Sequence, residues 1–67
     1  MNANKLLGKI REAQLSQCEV AKRMGISPSA LYHKISGKSQ FTRDEIIKLC
    51  DILALDDAEL MAIFFND

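Results

Sequence analysis

Apolar residues along the chain recur every three to four positions, and polar punctuation divides them into five segments. The first, about residues 2–13, carries Ala3, Leu6, Leu7, Ile10 and Ala13. The second, about 17–24, carries Val20, Ala21 and Met24, and the third, about 28–36, carries Leu31 and Ile35. The fourth, about 43–54, shows Ile46, Ile47, Cys50, Leu53 and Ala54, and the fifth, about 57–65, shows Leu60, Ile63 and Phe64. This spacing lays one apolar stripe along a helix of 3.6 residues per turn. No segment alternates with period two for more than a few residues, so no strand is expected.

The punctuation supports the same division. Gly25 and Gly37 are expected to stop helices, and Ser16, Ser27, Thr42 and Asp56 to start them. Glu19, Glu45 and Glu59 each follow a cap by three residues, the spacing of a capping box, with Asp56 a carboxylate variant of it. Pro28 directly after Ser27 suits the first helical position, where a missing N–H costs nothing. The expected fold class is all-α, a compact bundle of five short helices forming one domain over residues 1–67.

Composition narrows the function classes. Sixty-seven residues, 48% apolar and 27% charged, suit a small globule that needs its core side chains for stability, leaving little room for an enclosed active site. The longest apolar run, Leu60 to Phe65, has six residues, against about twenty needed to span a bilayer. The N-terminus lacks the apolar stretch of a secretory signal, so a cytoplasmic location is expected. Cys18 and Cys50 are expected to be buried or half-buried thiols. With His33 they match no zinc spacing, and neither a metal, a cofactor nor a small-molecule ligand is expected. His33, the sole histidine, has no nucleophile or carboxylate near it in sequence, so no enzymatic activity is expected.

Net charge is zero, but its distribution is not even. Residues 1–43 hold eight basic residues against two acidic ones, and residues 44–67 hold one basic against seven acidic, leaving +6 and −6. Such asymmetry is a weak pointer to a polyanionic partner for the basic half. Lys5, Lys9, Lys22 and Arg23 read equally well as solvated surface charge.

Helices two and three are separated only by Gly25-Ile26-Ser27, a turn tight enough to force a steep crossing. Val20, Met24, Ile26 and Leu31 would share a core across it, with Ala21 small at the closest approach. That pattern is a helix-turn-helix over about residues 17–36. The stretch Ser16-Gln17-Cys18-Glu19-Val20-Ala21-Lys22-Arg23-Met24-Gly25-Ile26-Ser27 resembles the S/T-Q-x-x-L-A-x-x-x-G-x-S signature of phage repressor, Cro and XRE-type regulators. The resemblance extends through Leu31 and Gly37-Lys38 into helix four. It implies a lambda repressor-like DNA-binding domain and a transcriptional regulator that reads double-stranded operator DNA as a homodimer. The chain departs from the family in two respects. Lys34 stands where an apolar residue is usual, and Ile10 and Ile35 replace an Arg–Glu pair common among members.

With Leu31 facing inward, steps of about 100° per residue put Ser29 and His33 opposite it, flanked by Tyr32 and Ala30. These are the expected base readers, and the resemblance adds Ser27 and Pro28. Their chemistry is modest: Ser and His reach base-edge acceptors, and Ala30 or the Tyr32 ring suits a thymine methyl. Phosphate contacts are expected from Gln17 in the first turn of helix two, from Lys34, from the polar run Lys38, Ser39 and Gln40, and from Thr42 and Arg43. Family members commonly line the DNA backbone with residues matching Gln17, Lys38 and Arg43. On helix five, Met61 and Phe65 lie about 100° and 140° from Leu60, on a second apolar face suited to a dimer interface. A different class of function is a protein-interaction module of the same fold, an antitoxin or antirepressor partner with little DNA binding.

Overall fold

A computed structural model describes residues 1–65 as α1 (Ala3–Glu12), α2 (Gln17–Met24), α3 (Pro28–Ser36), α4 (Arg43–Leu53) and α5 (Asp57–Phe64). No strand is present among the described residues. The helices close around one core of Leu6, Ile10, Val20, Ala21, Met24, Leu31, Ile35, Leu49, Leu53 and Ile63. The molecule measures 27 × 25 × 20 Å, close to isometric, so every helix reaches that core with one face. α2 packs against both α3 and α4, while α1 packs against α5.

The helix starts follow from their caps. Ser16, Thr42 and Asp56 each accept the N–H of the glutamate three residues on, whose carboxylate accepts the cap's own N–H in return. Ser27 Oγ accepts from the Ala30 N–H at 3.1 Å, with Pro28 beginning α3. Asn2, unremarked in the sequence pattern, caps α1 by accepting the Lys5 N–H, and its own N–H donates to the Ile63 carbonyl across the α1–α5 contact. Lys9 adds an ion pair there, between Glu12 on its own helix and Glu59 of α5.

The four connections share one device. Gln14, Gly25, Gly37 and Ala54 each adopt a left-handed conformation, with φ of 59°, 78°, 92° and 52°. The next residue returns its N–H to a carbonyl five positions back: Leu15 to Ile10, Ile26 to Ala21, Lys38 to His33, Leu55 to Cys50. This closes the orphan carbonyls at each helix end. Gly25 and Gly37 were legible as stops; Gln14 and Ala54 hold the same conformation despite their Cβ atoms. In three connections the returning residue is apolar, packs on the core and immediately precedes the next cap: Leu15, Ile26 and Leu55. One side chain thus closes one helix and staples the next. Between α3 and α4 these duties are divided. Exposed Lys38 closes α3, and Phe41, three residues later, packs on the core before the Thr42 cap.

Three expectations are corrected. On α4 the fully buried position is Leu49, whereas Ile47 is 56% exposed and Ala54 lies outside the core. Apolar residues wrap most of this helix, and docking against α2 selects Leu49 and Leu53, with Ile52 packed beside them; Ile47 then points about 160° away from Leu49. Ala13 is exposed at the α1 terminus. Cys18 is exposed rather than half-buried, because α2 turns its first two residues outward; Cys50 is half-buried as expected. Ile10 and Ile35 both join the core.

Candidate nucleic-acid interface

On α3 the burial pattern separates two faces. Leu31 and Ile35 are buried, and Ser27, Pro28, Ser29, Tyr32 and His33 are exposed, with Ala30 half-buried at the edge. The outward face therefore carries hydroxyls, an imidazole and a phenol ring, the last 60% exposed and tilted against His33 at 6.1 Å between centroids. The Ser27 hydroxyl oxygen is engaged as the α3 cap; Ser29 has no such duty among the described residues. Nothing on this face offers the bidentate amide or guanidinium donors that read a base strongly.

Further polar groups are exposed on α2, on the α3–α4 connection and on α4. Gln17 is exposed in the first turn of α2, where helical N–H groups have no helical partner. Lys38, Ser39 and Gln40 are exposed in the α3–α4 connection, and Thr42 and Arg43 are exposed at the start of α4. Thr42 is already committed, its hydroxyl accepting the Glu45 N–H and its own N–H donating to Glu45 Oε1 at 2.8 Å. Asp44 and Glu45 also sit in that first turn, so an anion there would meet the Arg43 side chain rather than a bare helix terminus.

Lys34 differs from the other basic residues of the expected set. Its ammonium lies 3.0 Å from Glu45 Oε1, donates to the Gln40 carbonyl at 3.1 Å, and stands 6.0 Å from the centre of the Phe41 ring. With 14% of its side chain exposed, it is turned into the protein rather than toward solvent. The Thr42 N–H, and after it the Lys34 ammonium, hold the Glu45 carboxyl below the ordinary glutamate range against the opposing effect of partial burial. A second lysine, Lys48 of α4, donates to the Met24 carbonyl at 3.3 Å and so fills one of the orphan acceptors at the end of α2. α4 thus ties down both helices of the α2–α3 pair. Neither Glu45 nor Lys48 was singled out in sequence for this role, because both partners are distant along the chain or on another helix. Phe41 was legible in principle, since an apolar residue just before a cap pairs with the fourth helical residue, here Ile46.

Beneath the α3–α4 connection runs an open groove of about 410 Å³, bordered by Lys34, Phe41, Ile46, Phe64, Phe65 and Met1 among others. Phe41 and Phe64 meet edge to face at 5.7 Å across it. Met61 of α5 is 56% exposed, and Phe65, which the sequence pattern put inside the helix, follows its end as the C-cap and is 61% exposed. Among the described residues no group of three His, Cys, Asp or Glu side chains could hold a metal, and no helix is long and apolar enough to cross a membrane.

Neither the curated proteins nor the solved structures contain a match to this chain. A family model does match, over residues 1–67, and the chain belongs to that family, DUF739, described as a protein of unknown function.

Proposed function

We propose that this protein is a sequence-specific, double-stranded DNA-binding regulator of transcription, similar to the phage repressor and Cro-type proteins. In this reading α2 and α3 form a helix-turn-helix and α3 enters the major groove. The supporting observation is the division of α3. Leu31 and Ile35 hold it to the core, and the opposite face presents Ser29, Tyr32 and His33 to solvent with no internal duty for their side chains. Such a face on a short helix capped by a three-residue turn is what base reading requires. Gln17, Lys38, Ser39, Gln40 and Arg43, all exposed, are assigned as phosphate contacts, which set register and orientation. Thr42 serves as the α4 cap and Lys34 as an internal group, so neither is assigned a phosphate.

One recognition helix reads few base pairs, and a two-fold pair would read two half-sites about 34 Å apart. Met61 and Phe65 are the proposed dimer surface. Selection of bound duplexes from a random pool, followed by titration with salt, tests the reading. A recovered palindrome whose affinity falls steeply with salt is the expected result. An absence of enrichment, with no salt-dependent binding to any duplex, would instead leave the protein-interaction reading of the same fold.

A further inference from the structure

We infer that Lys34 is a positioning residue, which holds the Lys38–Gln40 segment and the start of α4 in register with the α3 recognition face. This inference rests on the DNA-binding reading above, and it moves Lys34 from a direct phosphate contact to an indirect role.

Three observations carry it. Every other connection between helices is fastened at once by an apolar residue that both closes one helix and precedes the next cap: Leu15, Ile26 and Leu55. The α3–α4 connection has Lys38 at that position, exposed, and the next apolar anchor is Phe41. Residues 38–40 are therefore the one stretch between described helices without an apolar side chain of their own, and they are the residues offered to phosphate.

Lys34 supplies the missing fastening. From the last turn of α3 its ammonium reaches the Gln40 carbonyl, inside the unanchored stretch, and Glu45 Oε1, inside the α4 capping box. Glu45 in turn accepts the Thr42 N–H. One cation thus links the recognition helix, the loop and the first turn of the next helix. An apolar side chain here could add core packing but could not bind a carbonyl and a carboxylate together. Lys34 also offsets the Glu45 charge, which would otherwise add to Asp44 beside the phosphate-facing Arg43.

The test compares wild type with Lys34→Met and Lys34→Arg, each as the full chain. Amide hydrogen exchange without DNA reads the loop, and binding to random duplex DNA reads the interface. Lys34→Met is expected to speed exchange at the Ser39 and Thr42 amides, which donate to the His33 carbonyl and to Glu45 Oε1, relative to α1 and α5 by about tenfold, the factor for losing a charge-assisted hydrogen bond. It should also weaken binding to every sequence about tenfold, and Lys34→Arg should recover most of both. Weakened binding with unchanged loop exchange would make Lys34 a direct phosphate contact and overturn the inference. Unchanged exchange and unchanged binding would leave Phe41 as the sufficient anchor and overturn it as well. If the wild type binds no DNA, faster loop exchange in Lys34→Met still upholds the positioning role while the DNA reading fails; unchanged exchange sinks both. Should Lys34→Met not fold, Glu45→Gln removes the same ion pair while keeping an acceptor for Thr42, and loop exchange alone then decides: faster exchange upholds the positioning role and unchanged exchange overturns it.

Discussion

Leu49→Ala and Ile47→Ala, two residues apart on α4, should have very unequal consequences. Leu49 has no exposed surface, in a core shared with Val20, Ala21 and Met24 of α2, the helix that α4 packs against. Truncation removes three carbons, about 2.4 kcal/mol of transfer free energy at ~0.8 per methylene. The cavity left behind raises the total to about 3–4 kcal/mol. A chain of this length has a total stability of about 3–10 kcal/mol, so the variant stands near the edge of unfolding. Ile47 is more than half exposed. Its truncation should change stability by less than about 0.5 kcal/mol, with the better helix propensity of Ala offsetting part of the lost contact. Urea denaturation followed by circular dichroism measures both, with equal slopes required before the midpoints are compared. The pair also bears on the interface. The rotation that buries Leu49 carries Glu45 and Lys48, about 40° and 100° around from it, to their partners on α3 and α2. A larger loss for Ile47→Ala than for Leu49→Ala would mean that α4 is turned about its axis, and the fastenings of the α2–α3 pair would fall with it.

Ser29→Ala and His33→Ala should each cost about 1–3 kcal/mol on the preferred duplex and little on random DNA, measured by competition binding; equal losses on both would end their role as base readers. Lys38→Ala or Arg43→Ala should instead weaken all sequences alike and flatten the salt dependence by about one unit, and a changed sequence preference with an intact slope would argue against phosphate contact. Phe65→Asp should abolish dimerisation in sedimentation equilibrium with helicity preserved, whereas a folded variant that dimerises like wild type would remove α5 from the interface. Acid should destabilise the protein in part through Glu45. Its carboxyl is held below the ordinary value of 4.5, so its contribution is complete above that pH and is lost as the pH falls below it. Glu59, lowered by Lys9 and by the Asp56 N–H, acts in the same direction. Glu45→Gln should therefore flatten, without abolishing, the fall in unfolding midpoint as the pH drops below the ordinary value of 4.5; an unaltered profile would show that the charge of this carboxylate, on the Thr42 N–H and the Lys34 ammonium, contributes nothing to folding.

Local physics determined most of the architecture. Caps at Ser16, Ser27, Thr42 and Asp56, with glycines at 25 and 37, delimit helices through hydrogen bonds that span three to five residues, so they are legible wherever the sequence is read. The outward face of α3 was legible for the same reason: Leu31 and Ile35 are the only strongly apolar residues on a short helix, and they leave one choice of inward direction. α4 offered no such economy. With apolar residues around most of its circumference, periodicity admits more than one buried line, and only packing against α2 selects Leu49 over Ile47. The left-handed Gln14 and Ala54 escaped notice because tertiary closure imposes a conformation their side chains do not favour. Lys34 shows the same division at the interface. Its sequence position, in the last turn of α3 beside a polar loop, suits a phosphate ligand. Its charge is nevertheless taken up by Glu45, eleven residues away, and by a carbonyl of the loop between them. An ion pair across a turn depends on where α4 starts and how it is rotated, and neither is decided until the core has closed.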